Sequence, residues 1–115
     1  MKILIVEDNK LFRREMISLI KKDDNEIFQC EDGINVESMY ERFQPDIVLM
    51  DIKMKIMNGL EATKILTAKY PDANVIILTN LQDEKLEERA MRYGAKGFLM
   101  KENLNQLNEL ITKNS

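Results

Sequence analysis

The sequence predicts an α/β fold, a doubly wound, five-stranded parallel sheet in the order 2-1-3-4-5 with helices on both faces. Three observations carry that expectation. Four short runs are wholly apolar: Ile3-Leu4-Ile5-Val6, Ile47-Val48-Leu49-Met50, Val75-Ile76-Ile77-Leu78 and Phe98-Leu99-Met100. Runs of this kind, bounded by polar residues, suit strands buried on both faces. The stretches between them carry apolar residues at helical spacing, so strand and helix alternate with short connections. A fifth, mixed segment, Glu26-Ile27-Phe28-Gln29-Cys30, fits only an edge, and the order 2-1-3-4-5 puts the second strand there.

Taken in order, residues 2–6 form the first strand. Residues 10–22 form a helix whose apolar stripe is Leu11, Phe12, Met16, Leu19 and Ile20. The weak strand covers 26–30. Asp32-Gly33 marks a turn, and a helix over 34–43 stops before Pro45. The third strand is 46–50. After a loop over 52–58, a helix runs from Gly59 to Tyr70 and closes at Pro71-Asp72. The fourth strand is 74–78. A charged helix over 82–93 carries Leu86 and Ala90 at i, i+4 and ends at Gly94 as a C-cap. The last strand is 96–100. The last helix, 102–113, shows Leu104, Leu107, Leu110 and Ile111 on one face, a stripe expected to pack on the core.

A chain of 115 residues suits one domain, 1–115, and at this size folding hides roughly two-thirds of the unfolded surface, enough for a core without staples. The single cysteine, Cys30, excludes an internal disulfide and fits a reducing compartment; a small buried hydrophobe is its expected role. No stretch approaches a membrane span or a signal sequence, so the expected location is cytoplasmic and away from the membrane. With 17 basic against 20 acidic residues, interspersed, no basic patch stands clear of acids, and direct nucleic-acid binding by this chain is not expected. Histidine is absent. That excludes histidine-based catalytic triads, histidine-ligated zinc and an internal phosphohistidine.

In an open parallel sheet, ligands bind at the carboxyl ends of the strands. Here the first run ends on Glu7-Asp8, the third strand on Asp51, the fourth on Thr79 and the fifth on Lys101. The order 2-1-3-4-5 sets those four ends side by side. Three carboxylates in one place repel unless a cation lies among them, and an all-oxygen set suits Mg²⁺. An ammonium at Lys101 can pair with Asp51 and with a phosphoryl oxygen, and the Thr79 hydroxyl can donate to the same group. Taken singly, each has an ordinary alternative: helix-capping acids, a surface lysine, a strand-end threonine bonded to backbone. Their shared edge favours a metal-and-phosphate site.

These residues resemble the receiver domain of two-component response regulators. The likeness runs through Ile3-Leu4-Ile5-Val6-Glu7-Asp8-Asn9, then Pro45-Asp46-Ile47-Val48-Leu49-Met50-Asp51-Ile52-Lys53-Met54 with Asn58-Gly59, then Ile77-Leu78-Thr79 and Gly94-Ala95-Lys96-Gly97-Phe98-Leu99-Met100-Lys101. It implies the flavodoxin-like strand order already reached. It also implies a phosphorylation-dependent switch that accepts a phosphoryl group on Asp51 from a sensor histidine kinase, with Mg²⁺-dependent transfer and autodephosphorylation. Asp8, Asp51 and the backbone carbonyl of Lys53 would hold the metal, with Glu7 acting through water. Thr79 and Lys101 would contact the phosphoryl group, and Thr79 with Phe98 would form the switch. Such a chain is not an enzyme beyond its own phosphorylation and dephosphorylation. The tract ending at Lys101 resembles regulators with a helix-turn-helix output domain, so transcriptional output through a DNA-binding domain outside this chain is expected; a stand-alone regulator docking on a partner protein is the alternative. A phosphorylation-dependent homodimer through 82–93 and 102–113 is a further expectation, although most charged faces such as Asp83, Glu84, Lys85, Glu87, Glu88, Arg89 and Arg92 are simply solvated.

Three positions depart from the usual pattern: Lys55 in place of a proline, Asn80 where a small residue is common, and Glu102 after Lys101 in place of a proline that would favour a cis bond. Two other readings compete. A haloacid dehalogenase-type phosphatase needs a second aspartate two residues after its nucleophile, where Lys53 stands. A flavin carrier of flavodoxin type needs a phosphate loop after the first strand, where Glu7-Asp8 would repel phosphate.

Overall fold

A computed structural model describes residues 1–21, 24–81 and 83–114. Five strands, β1 (Lys2–Val6), β2 (Glu26–Cys30), β3 (Ile47–Asp51), β4 (Val75–Thr79) and β5 (Gly97–Met100), pair in parallel in the order β2-β1-β3-β4-β5. Five helices connect and flank them: α1 (Lys10–Ile20), α2 (Val36–Phe43), α3 (Gly59–Lys69), α4 (Glu84–Arg92) and α5 (Leu107–Asn114). The predicted fold class and strand order are those observed. α1 stops at Ile20, with Lys21 extended as its C-cap, and α4 starts at Glu84, with Asp83 extended as its N-cap, so both helices are shorter than the expected 10–22 and 82–93. Lys22, Gln82 and Ser115 lie outside the described residues.

Side-chain alternation divides the core into two layers. Ile3, Ile5, Ile47, Leu49, Ile76, Leu78 and Leu99 pack with Met16 and Ile20 of α1 and with Leu107 and Ile111 of α5. Leu4, Val6, Val48, Met50, Val75 and Ile77 pack on the opposite face with Val36, Leu60, Leu66 and Ala90 from α2, α3 and α4. Every residue of β3 and β4 is buried, as central strands covered on both sides require. β2 mixes exposed, half-buried and buried positions, as its edge place allows.

The boundaries differ in informative ways. β3 and β4 each begin and end one residue later than the expected 46–50 and 74–78, so Asp51 and Thr79 are themselves strand residues. The Asp46 carboxylate accepts from the Lys2 N–H at 2.7 Å and so acts as an inter-strand clamp before β3 begins. The expected single helices at 34–43 and 102–113 are each split. A 3-10 turn over Gly33–Asn35 precedes α2, capped by the Asp32 carboxylate, and another over Lys101–Gln106 precedes α5. Lys101 thus enters a 3-10 turn directly, and all peptide bonds among the described residues are trans. α4 ends as predicted, with Gly94 at φ 102° behind Tyr93. Leu104, Leu107 and Ile111 are buried and Leu110 is half-buried, so that stripe is core packing.

The stripe on α1 is corrected. Its buried residues are Arg13, Met16 and Ile20, at i, i+3 and i+7, while Leu11 is 74% exposed and Leu19 38%. Arg13 belongs inside because its donors are satisfied. Nη1 donates to the Glu7 carbonyl (2.7 Å), Nε donates to Gln29 Oε1 (2.8 Å), and Nη2 lies 3.5 Å from Glu31 Oε1. A buried guanidinium is tolerated on those terms. It ties α1 to the end of β1 and to the edge strand.

Candidate functional site: an acidic cluster at the carboxyl edge of the sheet

The strand register builds the site. Val6 sits opposite Met50, Asp51 opposite Leu78, and Thr79 opposite Met100. One step past β1 is Glu7, level with Asp51, and one step past β5 is Lys101. Parity then sorts the side chains. Asp51 follows Ile47 and Leu49 on the α1/α5 side, and Glu7 and Lys101 continue the same side from Ile5 and Leu99. Thr79 and Phe98 fall on the other side, with Ile77 opposite Phe98 in the ladder.

The contacts follow that division. Lys101 Nζ lies 2.8 Å from Glu7 Oε1 and 3.3 Å from Asp51 Oδ1. The sequence suggested the pair with Asp51; the shorter pair is with Glu7. Glu7 is fully buried, Asp51 is 4% exposed and Asp8 is half-buried. Burial pushes the Glu7 carboxyl above its ordinary range. Lys101 draws it down, the neighbouring Asp51 raises it again, and the Asn9 N–H, donating to Glu7 Oε2 at 3.2 Å, opposes the rise.

Glu7, Asp8 and Asp51 each turn a carboxylate oxygen to one place, all within 4.8 Å of one another. Three hard oxygen donors of that charge fit a divalent cation that prefers oxygen, Mg²⁺ foremost. Lys53 lies two residues past Asp51 with its side chain exposed, and its ammonium has no lone pair to offer a cation, so its backbone carbonyl is the one group by which it could join such a set. Thr79 is buried, and its Oγ1 accepts from the Leu81 N–H at 3.0 Å. That contact folds the start of the β4–α4 loop over the hydroxyl, which can accept and donate at once. Asn80 is exposed beside it and Lys55 is exposed in the β3–α3 loop. Phe98 is half-buried and lines a groove of about 520 Å³ with Asp83, Glu84, Glu87, Asn103 and Gln106. The structure therefore brings Glu7, Asp8, Asp51 and Lys101 together and sets Thr79 and Phe98 on the opposite side of the sheet edge.

Three residues near the site were not picked out as functional from the sequence. Asn9 caps α1 through Oδ1, which accepts the Phe12 N–H at 2.9 Å. Phe12 places its ring 4.1 Å from Lys101 Nζ. Arg13 holds the Glu7 carbonyl. The signal for Arg13 was its spacing from Met16 and Ile20, and for Asn9 its place before an apolar-periodic stretch. Phe12 gave no such signal, since an aromatic at helical spacing reads as core.

The model of the response regulator receiver domain family matches residues 3–112, and the chain belongs to that family. It is 37% identical over 102 residues to the transcriptional regulatory protein DegU of Brevibacillus brevis, covering 87% of this chain but 43% of that protein. It is 35% identical to the chemotaxis protein CheY of Listeria monocytogenes, covering 88% of this chain and 86% of that one. The chain thus spans less than half of the first regulator and most of the second. Among solved structures, a DNA-binding response regulator of the LuxR family from Staphylococcus aureus superimposes with a TM-score of 0.88 at 30% identity, over 97% of this chain and 96% of that one. No helix among the described residues is long and apolar enough to cross a membrane.

Proposed function

We propose that this chain is a phosphorylation switch in which Asp51 takes a phosphoryl group from the phosphohistidine of a sensor kinase in the cytoplasm. The observation that carries the reading is the single charge cluster in which Lys101 pairs with both Glu7 and Asp51 while Asp8 completes the set of acids. Phosphoryl transfer asks a protein mainly for positioning and charge neutralisation. Asp8 and Asp51, with the Lys53 backbone carbonyl, would hold Mg²⁺, and Glu7 would act through water. When bound, the ion supplies positive charge against the transferring oxygens.

The chain's own residues do the rest. An Asp51 carboxylate oxygen attacks phosphorus in line, a new O–P bond forms, the N–P bond to the donor histidine breaks, and its electron pair leaves with the imidazole. Lys101 already sits between Glu7 and Asp51 and can follow the new charge onto a phosphoryl oxygen. The product replaces a charge of −1 by about −2. Thr79 can then donate its O–H to that group. Moving toward it draws Oγ1 from the Leu81 N–H and so displaces the β4–α4 loop. Phe98, on the same side of the sheet, turns into the space left, altering the groove beside α4. Hydrolysis of the acyl phosphate at the same site resets the switch, and the chain turns over no other substrate.

The test is treatment with a small phosphodonor and Mg²⁺ followed by intact mass. A gain of one phosphoryl group in the parent and none in Asp51→Asn is expected. No gain in the parent, or the same gain in the variant, rejects the reading. Asn80 stands exposed where a small residue would open the approach to Asp51, so Asn80→Ala is expected to shorten the phosphoryl lifetime several-fold. Equal lifetimes by time-resolved mass measurement would remove Asn80 from the site.

The output we favour is transcription through a DNA-binding domain outside this chain, as the partial coverage of the DegU relative suggests. The near-complete coverage of the CheY relative supports a second reading, a stand-alone regulator that docks on a partner protein or pairs with itself through α4 and α5. Whether the reading frame continues past Ser115 separates the two.

A further inference from the structure

Lys101 is held from a third side. Its ammonium has Glu7 Oε1 at 2.8 Å, Asp51 Oδ1 at 3.3 Å and the centroid of the Phe12 ring at 4.1 Å. The Lys101 side chain is only 11% exposed, so this ring contact operates on a largely desolvated cation. The placement of the ring is itself fixed. Asn9 Oδ1 accepts the Phe12 N–H at 2.9 Å, and the Asn9 N–H donates to Glu7 Oε2 at 3.2 Å. The four residues close a circuit from Glu7 through Asn9 and Phe12 to Lys101 and back to Glu7. Phe12 is half-buried and packs against the layer beneath α1 and α5. Packing alone needs only an apolar side chain at that point; it does not need a π face turned to the ammonium.

We infer that Phe12 is a positioning residue for phosphoryl transfer, its ring face holding the Lys101 ammonium over the carboxylates and keeping water from its third side. This rests on the reading of Asp51 as phosphoacceptor. A ring attracts a cation through its quadrupole, which tyrosine retains and leucine lacks. Phe12→Leu keeps an apolar side chain and removes the π face; Phe12→Tyr keeps both.

The experiment compares the parent with Phe12→Leu and Phe12→Tyr in two measurements. One is the initial rate of phosphoryl uptake from a small phosphodonor with Mg²⁺. The other is the ring-current shift of the Lys101 ε-methylene protons. The leucine variant is expected to take up phosphoryl groups about five- to tenfold more slowly, the scale of a desolvated cation–ring contact. The Lys101 methylene signal, upfield in the parent, is expected to return to its ordinary position there. The tyrosine variant is expected to keep the parent's signal position and a rate within about twofold of the parent's, since its ring preserves the contact. A leucine variant with the parent's rate overturns the inference. So does a parent whose Lys101 methylene protons show no ring-current shift, or a tyrosine variant as slow as the leucine one. A parent that takes up no phosphoryl group rejects the Asp51 reading, and this role with it; that failure is recognisable because it occurs before any substitution at Phe12.

Discussion

Lys101→Met is expected to slow phosphoryl uptake about 100-fold, the scale of removing one charge-stabilising donor from a transition state, and to destabilise the metal-free domain. Methionine keeps most of the length and packing of the stem but removes the ammonium. What remains is a fully buried Glu7 beside an Asp51 that is 4% exposed. Removing one partner of a buried ion pair costs about 3–5 kcal/mol when the other stays charged. Glu7 has a way to reduce that cost, because burial already favours its protonated form. The pH dependence follows in sign. A carboxyl whose folded pKa stands above its unfolded value binds more protons when folded, so stability falls as pH rises from the unfolded value through the folded one. Without Lys101 the folded value rises further, and the window widens upward. The deficit of the variant should therefore be small near pH 5 and larger at pH 8, with added Mg²⁺ narrowing it by binding the folded state. Urea unfolding at both pH values, with and without chelator, checks this. A deficit independent of pH would show that Glu7 does not carry the uncompensated charge.

The reasons one part of this site was legible in the sequence, and another was not, are physical. Strands buried on both faces leave continuous apolar runs, so β1, β3, β4 and β5 could be placed and the residues at their ends picked out. The shared edge of Glu7, Asp8, Asp51 and Lys101 then followed from strand order alone. The distribution of contacts within that edge did not follow, because it depends on register and parity. Only when Asp51 proves to be the last residue of β3, pointing to the α1/α5 side, does it become clear why Lys101 reaches Glu7 as well and why Thr79 lies across the sheet. The face of α1 was misread for a related reason. Hydrophobicity ranks Leu11 above Arg13, yet Leu11 is exposed and Arg13 is buried, because the end of β1 supplies a carbonyl for Arg13 and β2 supplies Gln29. A buried polar residue is decided by partners distant in sequence, which periodicity does not report. The split of the last helix at Lys101–Gln106 is likewise tertiary, since the turn carries Lys101 toward the acids while Leu104 stays in the core.

Gly59→Ala is expected to be among the most damaging single substitutions near the site, although it adds only a methyl group and sits at the first position of a helix. Helix propensity alone favours alanine over glycine by up to about 1 kcal/mol. Steric contact opposes it more strongly. A Cβ on Gly59 would collide with the carbonyl oxygen of Asp51 and lie 2.9 Å from Met50 Cγ, while the Gly59 N–H is committed to the Ile52 carbonyl at 2.7 Å. The oxygen is backbone, so no rotamer change relieves it; β3 or the start of α3 must move. Overpacking of this kind costs about 1–3 kcal/mol and occasionally more, and a net loss of about 2 kcal/mol is expected after the propensity gain. The functional loss should be larger in proportion, because the displaced atom belongs to Asp51 itself. A shift of about 1 Å in a reacting group can cost on the order of 100-fold in rate. Gly97→Ala provides the comparison. Gly97 is buried in β5, but a Cβ there meets Ile76 Cγ1 at 3.4 Å and Leu110 Cδ1 at 3.6 Å, both movable side-chain atoms at ordinary contact. It is expected to change stability by less than about 1 kcal/mol and to leave phosphoryl uptake near the parent's. Chemical denaturation and phosphodonor uptake of the two variants decide the matter. If Gly59→Ala matches Gly97→Ala in both, the close approach of α3 to the Asp51 carbonyl does not set the position of Asp51.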